Sequence, residues 1–333
     1  MTNFSHRLCI APMMDWTDRH CRYFLRLVSP HARLYTEMVT TGALQFGNVP
    51  RHLDFDPAEH PVGLQLGGSD PLHLADSARL GEAWGYDEIN LNVGCPSERV
   101  QTGSFGACLM REPALVAQCI AAMRDAVSLP VTVKHRIGID AVEDYEFVRD
   151  FVGTVAEAGA SAFMVHARNA ILKGLSPKQN REVPPLKYDY VYRLKRDFPK
   201  LTIVINGGIT GIRDVARELE QVDGVMLGRA AYHDPWLLAQ AEAMCFAAKA
   251  PVHTRGDVIA ALVPYAEAQR ARGVPLRAIA RHVVGLYHGQ PGGRRFRQLL
   301  SDAARLDEGD PHLLLEAAAR VDGEVAEAAD APA

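Results

Sequence analysis

Cys95 sits in a Gly94-Cys95-Pro96 turn, where a thiol can serve as a nucleophile or as a proton donor. The first use needs an adjacent base, and spacing alone leaves that choice open. Lys134, in Val133-Lys134-His135-Arg136, offers an amine for Schiff-base chemistry or a cation beside an anionic ring; a core lysine paired with a carboxylate is the plain structural alternative. Gln65, Asn92 and His166 are hydrogen-bonding groups suited to the edge of a heteroaromatic plane, and such a ring accounts for more of these residues than a Schiff base does. His166 and Arg168 stand two residues apart, so strand alternation predicts that both face one site. Asn206-Gly207-Gly208 and Gly228-Arg229 are turns in which glycine lets the backbone approach an anion and Arg229 can neutralise it.

These residues fall at the ends of short apolar runs that alternate with longer amphipathic stretches. The pattern predicts eight strands, at 8–11, 33–37, 62–66, 88–92, 131–135, 162–166, 202–206 and 224–227, separated by helices. Eight β/α units in some 230 residues predict an α/β fold, a (β/α)8 TIM barrel, whose chemistry gathers at the C-terminal ends of the strands. A doubly wound sheet is the rival, but no G-x-G-x-x-G follows any strand. The turns after strands seven and eight then stand where such barrels commonly hold a phosphate, and a bound flavin fits the remaining polar groups. The segment 97–110 after Cys95 is punctuated by glycines and reads as an irregular loop of the kind that forms lids. Beyond the eighth unit the sequence becomes Ala-rich and helical. The expected organisation is a barrel over 1–245, a linker near 248–253, a smaller helical domain over 254–322 and a disordered tail over 323–333.

The 333 residues are 48% hydrophobic and 23% charged, as in an ordinary globular protein. No basic leader precedes the first apolar run and no apolar run reaches membrane-spanning length, so a cytoplasmic, soluble location is expected. Six cysteines without a C-x-x-C pair suggest neither a disulfide framework nor a metal site; Cys119 reads as helix core. The net charge of −4 conceals segregation: residues 251–300 hold eight Arg against Asp257 and Glu267, whereas 301–333 hold two Arg against nine acids. The first segment is a candidate phosphate-binding face; its ordinary alternative is a solvated surface.

Five motifs sharpen this. Ala11-Pro12-Met13-Met14-Asp15-Trp16-Thr17-Asp18, Tyr35-Thr36-Glu37-Met38, Gln65-Leu66-Gly67-Gly68, Leu91-Asn92-Val93-Gly94-Cys95-Pro96-Ser97 and Lys134-His135-Arg136-Ile137-Gly138 resemble the bacterial tRNA-dihydrouridine synthases over nearly the whole chain. The stretch from His166 to Leu186 is similar to the A-type subfamily, which modifies positions 20 and 20a of the tRNA D-loop. The resemblance implies that Pro12, Met13, Met14, Gln65, Lys134, His166, Asn206, Gly207, Gly208, Gly228 and Arg229 bind FMN. It implies that Cys95 is the active-site acid, and that Asn92, Lys178, Arg181, Arg294 and Arg297 contact tRNA; Arg168 joins them by strand geometry alone. NADPH, or NADH, would reduce FMN, and hydride to C6 with a proton from Cys95 to C5 would then reduce a flipped-out uracil. No metal, membrane or obligate protein partner is implied. A flavin barrel acting on a free pyrimidine, and a non-enzymatic RNA-binding protein, are the competing readings.

Overall fold

A computed structural model describes residues 5–142, 144–246 and 254–329. The strands are β1 Leu8–Ile10, β2 Leu34–Tyr35, β3 Val39–Thr40, β4 Val62–Gly67, β5 Glu88–Val93, β6 Val131–Arg136, β7 Ala162–His166, β8 Thr202–Asn206 and β9 Gly224–Leu227. All pairings between them are parallel, in the order β1-β9-β8-β7-β6-β5-β4-β2. A parallel bridge between Cys9 and Arg33 joins the two ends, closing a (β/α)8 barrel.

The second barrel strand is broken into β2 and β3. Tyr35 pairs with Gly63 and Val39 with Leu66, so four steps on one strand oppose three on the other, a bulge-like insertion. Thr36 absorbs the mismatch, because its hydroxyl accepts the Gln65 N–H at 3.0 Å.

Alternation along the strands sorts their side chains. Ile89, Leu91, Val93, Val133, Phe163, Val165, Ile203, Ile205 and Val225, all buried, face outward toward the helices, whereas the alternate set fills the lumen. One half of the lumen is apolar, with Cys9, Ala11, Tyr35, Ala162, Met164, Val204 and Met226 in one cluster. The other half, from β4 to β6, is polar and carries Gln65, Glu88, Asn90, Asn92, Thr132 and Lys134. Burial of this kind is tolerated only where each group has partners.

Helices follow the strands: α1 Arg19–Val28, α2 Thr41–Phe46, α3 Val49–Leu53, α4 Pro71–Ala83, α5 Glu98–Thr102, α6 Pro113–Ala126, α7 Tyr145–Glu157, α8 Tyr188–Asp197 and α9 Ile212–Leu219. After β9 come α10 Arg229–His233, α11 Trp236–Phe246, α12 Arg255–Ala271, α13 Leu276–Val283, α14 Gly293–Leu299, α15 Ala303–Glu308 and α16 Leu313–Ala329. The segment expected to be an irregular lid contains α5 and a 3-10 turn over Gly106–Arg111.

The chain forms two compact units, residues 1–15 with 32–228 and residues 16–31 with 229–333. This differs from a division at residue 245. α10 and α11 belong to the helical unit, as does α1, which lies between β1 and β2 in sequence. Asp18 caps α1 by accepting from the His20 and Cys21 N–H groups and pairs with Arg281 and buried His282 of α13. Tyr23 stacks on Tyr265 of α12 at 3.8 Å between ring centroids. The expected disordered tail from 323 is helical as far as Ala329, in keeping with the high helix propensity of its alanines and glutamates. Residues 330–333 and the expected linker at 248–253 lie outside the described residues.

At the lumen floor Glu88, fully buried, pairs with Arg33 at 2.9 Å and His6 at 2.8 Å. Burial alone would raise its carboxyl pKa, but the charges of His6 and Arg33 and hydrogen bonds from His6 and Thr132 bring it from 4.5 down to about 2. A depressed folded-state pKa contributes stability that is complete above about pH 4.5 and lost as pH falls through about 2. Glu88→Gln should therefore destabilise the barrel by about 3 kcal/mol near neutrality, and thermal unfolding should show the gap from wild type narrowing on acidification. An equal melting temperature at pH 7 would remove this pair from the account of barrel stability.

Candidate active site at the barrel mouth

The C-terminal ends of β4 to β8 bring together most of the residues singled out by sequence. Gln65 and Asn92 are neighbours, with Asn92 Nδ2 donating to Gln65 Oε1 at 2.8 Å. Lys134 reaches over β7 and donates from Nζ to Asn206 Oδ1 at 3.0 Å, while Asn206 Nδ2 donates to the Met226 carbonyl at 2.8 Å. His166 pairs in register with both Arg136 and Asn206. The β1 segment places Pro12 and Met13 half-buried and Met14 55% exposed, leaving the Met14 thioether available to a ligand.

Glycine is required after β8. Gly207 and Gly208 have φ of +108° and +71°, and a Cβ on Gly207 would lie 2.5 Å from His166 Cδ2. Tyr188 Oη donates to the Gly207 carbonyl at 2.7 Å, pinning the turn. Gly228 ends the barrel unit, and a Cβ there would meet nothing closer than 3.8 Å, so space remains above it. Arg229 follows directly as the first residue of α10.

Cys95 is half-buried. Its N–H donates to Asn92 Oδ1 at 3.0 Å, its Sγ lies 3.6 Å from Ser97 Oγ, and its carbonyl accepts from the Ala107 N–H at 2.9 Å. The other thiols differ. Cys9, Cys21, Cys119 and Cys245 are buried; burial pushes Cys119 up to about 12 and also raises Cys108. The segment after Cys95 is clamped: Gln101 Nε2 donates to the Leu172 carbonyl at 2.9 Å. Arg111 pairs with Asp140 at 2.7 Å, and Asp140 Oδ1 accepts the Leu172 N–H at 2.8 Å.

Arg168 is where strand geometry misled. β7 ends at His166, and the Arg168 N–H turns back to the His166 carbonyl at 2.7 Å, so alternation no longer applies. Its guanidinium donates to the carbonyls of Glu182 and Pro184, bracing the excursion from 168 to 186 that carries exposed Lys178 and Arg181. Arg136 is the residue that sequence reasoning passed over. It is buried and donates to the carbonyls of Gly94, Asn169 and Asn180 at 3.3, 3.1 and 2.9 Å, tying the Cys95 turn to that excursion; its signal was the two-residue spacing from Lys134. In the helical unit, Arg294 and Arg297 are exposed on α14.

The mouth is cationic. Burial, then the charge of Arg136, pulls Lys134 down to about 7. Burial, followed by Arg136, Lys134, Arg168 and Arg181, holds His166 well below its ordinary value, leaving a neutral imidazole at pH 7. An anionic or acceptor-rich ligand relieves this imbalance by favouring the charged form of Lys134. Among the described residues no group of His, Cys, Asp and Glu could hold a metal ion, and no helix is long and apolar enough to cross a membrane. The amide donors, the lysine and the strained glycine turn fit a planar ring bearing a phosphate.

Such a mouth at the C-terminal ends of parallel strands is where enzymes of the (β/α)8 class carry their active sites. Residues 9–322 match the family model described as Dihydrouridine synthase. The chain is 57% identical over 318 residues to a tRNA-dihydrouridine(20/20a) synthase of Xanthomonas campestris, covering 96% of this chain and 94% of that one. Proteins of the same name from Pseudomonas putida and Vibrio parahaemolyticus are 59% and 52% identical, over 89% and 96% of this chain and 88% and 98% of theirs. Among solved structures, a 2-naphthoyl-CoA reductase complex is similar in fold at a TM-score of 0.53 and 12% identity, spanning 72% of this chain and half of that one. This chain belongs to the dihydrouridine synthase family and is an oxidoreductase.

The turn after β8 is open to a direct test. Gly207→Ala forces a Cβ into positive φ against His166 and should cost about 1–3 kcal/mol and weaken FMN binding, read by fluorescence titration. Gly42→Ala, where a Cβ meets nothing within 4 Å, should change neither. Wild-type FMN affinity in Gly207→Ala would show that the turn does not shape the site.

Proposed function

We propose that this chain reduces uridine to 5,6-dihydrouridine at positions 20 and 20a of the tRNA D-loop, with FMN as bound cofactor and NADPH as reductant. The observation that carries the reading is the ring of Gln65, Asn92, Lys134, His166 and Asn206 around the mouth beside the one half-buried cysteine on a strand-end turn. The relatives' shared name supports the substrate and the positions.

Gln65, Lys134, His166 and Asn206 would hold the isoalloxazine, with the Lys134 ammonium offsetting the negative charge of the reduced ring. Pro12, Met13 and Met14 line its side, and Gly207, Gly208, Gly228 and Arg229 take the phosphate. Once bound and reduced by NADPH, FMN would supply the hydride to C6 of the uracil. The Cys95 thiol delivers the proton to C5, so that two hydrogens add across one double bond. Asn92 orients the base and fixes the Cys95 turn through its Oδ1. The base must leave its stack to reach the barrel mouth. Lys178, Arg181, Arg294 and Arg297 meet tRNA phosphates, while Arg168 acts indirectly by bracing the excursion that bears the first two.

Reduced enzyme should be oxidised far faster by tRNA bearing uridine at these positions than by free uridine; equal rates would point to a small-molecule reductase. Cys95→Ala should bind FMN and accept electrons from NADPH yet release no dihydrouridine, and normal turnover would remove Cys95 as the acid. Arg294→Ala and Arg297→Ala should each lower the slope of log affinity against log salt by about 1. An unchanged slope in both would leave α14 outside the tRNA contact.

A further inference from the structure

Below the mouth, the polar half of the lumen forms one continuous hydrogen-bonded chain that the reaction itself does not call for. At its upper end the Gly94 and Cys95 N–H groups donate to Asn92 Oδ1 at 3.1 and 3.0 Å. Asn92 Nδ2 donates to Gln65 Oε1, Gln65 Nε2 to Asn90 Oδ1 and Asn90 Nδ2 to Thr132 Oγ1, each at 2.8 Å. The Thr132 hydroxyl then donates to Glu88 Oε1, which also accepts from Tyr35 Oη at 2.8 Å.

Neither end of this chain can reverse. Backbone N–H groups only donate, and the Glu88 carboxylate, paired with Arg33, only accepts. Every amide between them is therefore forced into one orientation. Asn92 must turn its oxygen to the Cys95 turn and its nitrogen to Gln65; Gln65 must then turn its oxygen to Asn92 and its nitrogen to Asn90. Asn90 Nδ2 also donates to Met164 Sδ at 3.6 Å, whereas Gln65 and Asn92 each spend one N–H on the chain and have a second for a ligand.

We infer that Asn90 and Thr132, buried beneath the mouth between Gln65 and Glu88, are positioning residues that set the polarity of the Gln65 and Asn92 amides, so that the site presents N–H donors to the acceptor edge of a bound ring. The inference rests on the flavin reading above for the identity of that ring, but not for the chain itself. Thr132 is the weak point of the relay, because a hydroxyl is the one link that both accepts from Asn90 and donates to Glu88. Without it, the lower end no longer opposes a turned-over Asn90, and the Gly94 and Cys95 N–H groups alone hold the directions of Asn92 and Gln65.

Thr132→Val keeps the shape and removes both bonds; Thr132→Ser restores them; Asn90→Leu cuts the chain one link higher. In ligand-free protein, the side-chain amide NMR signals of Gln65 and Asn92 should move in Thr132→Val and stay near wild type in Thr132→Ser. FMN dissociation constants should rise about tenfold, equivalent to about 1.4 kcal/mol, in Thr132→Val and Asn90→Leu, with a shifted visible spectrum, against less than about twofold in Thr132→Ser. If Thr132→Val fails to fold, Asn90→Leu decides by the same measurements. Unmoved amide signals, or unchanged FMN affinity and spectrum in the folded variants, would overturn the relay. A wild-type protein that takes up no FMN while the amide signals respond would overturn the cofactor reading and support the relay.

Discussion

Glu88 and Arg33 lie 2.9 Å apart on the lumen floor, both almost wholly removed from water, and a pair buried this deeply holds only if its remaining lone pairs and protons are also satisfied. Tyr35, Thr132 and His6 meet that demand around the carboxylate. The consequence runs upward. Thr132, having given its proton to Glu88, is left with an acceptor that Asn90 fills, and the amides above it inherit one direction. A charge at the closed end of the barrel thus organises the groups at its open end, with no net orientation left to chance in a dry interior where a misdirected amide would forfeit two hydrogen bonds.

On the opposite wall like charges meet: beside the effect of burial, Arg136 and Arg181 lower the pKa of Lys134, and Arg136, Lys134, Arg168 and Arg181 lower that of His166. Arg136 is buried and fully engaged with three carbonyls, and it serves the site by holding the Cys95 turn and the 168–186 excursion to one another. Lys134 donates to the neutral Asn206, and a bound anion would favour its charged form.

The amides from β4 to β6 and the apolar cluster take different sides of the lumen, with His166 and Asn206 as polar residues at the ends of β7 and β8. The apolar cluster around Met164, Val204 and Met226 packs the strands that carry the glycine turns. The amide ladder occupies the strands that carry Asn92 and Cys95, where side-chain direction matters. The broken second strand belongs to the same design, since Thr36 takes over the Gln65 N–H that the interrupted ladder would leave without a partner.

The barrel was legible in the chain because burial on a parallel sheet imposes apolar residues at alternate or successive positions, clearest at 62–66, 131–135, 162–166, 202–206 and 224–227 and weakest at 33–37, where the strand is split into β2 and β3. Gln65, Asn92, Lys134, His166 and Asn206 were legible for the same reason, as polar residues breaking apolar runs at their C-terminal ends. The acid role proposed for Cys95 rests on family motifs, since spacing leaves it between nucleophile and acid. Tertiary structure alone decided the rest. Arg168 does not follow strand alternation because β7 stops two residues before it, and a strand's last residue is set by its neighbour's register. α1 joined the helical unit because Asp18 and Tyr23 find their partners in α12 and α13, more than 240 residues away in sequence. The direction of each amide in the lumen was invisible to sequence altogether, since it is determined by which groups stand at the two ends of a chain that only the closed barrel assembles.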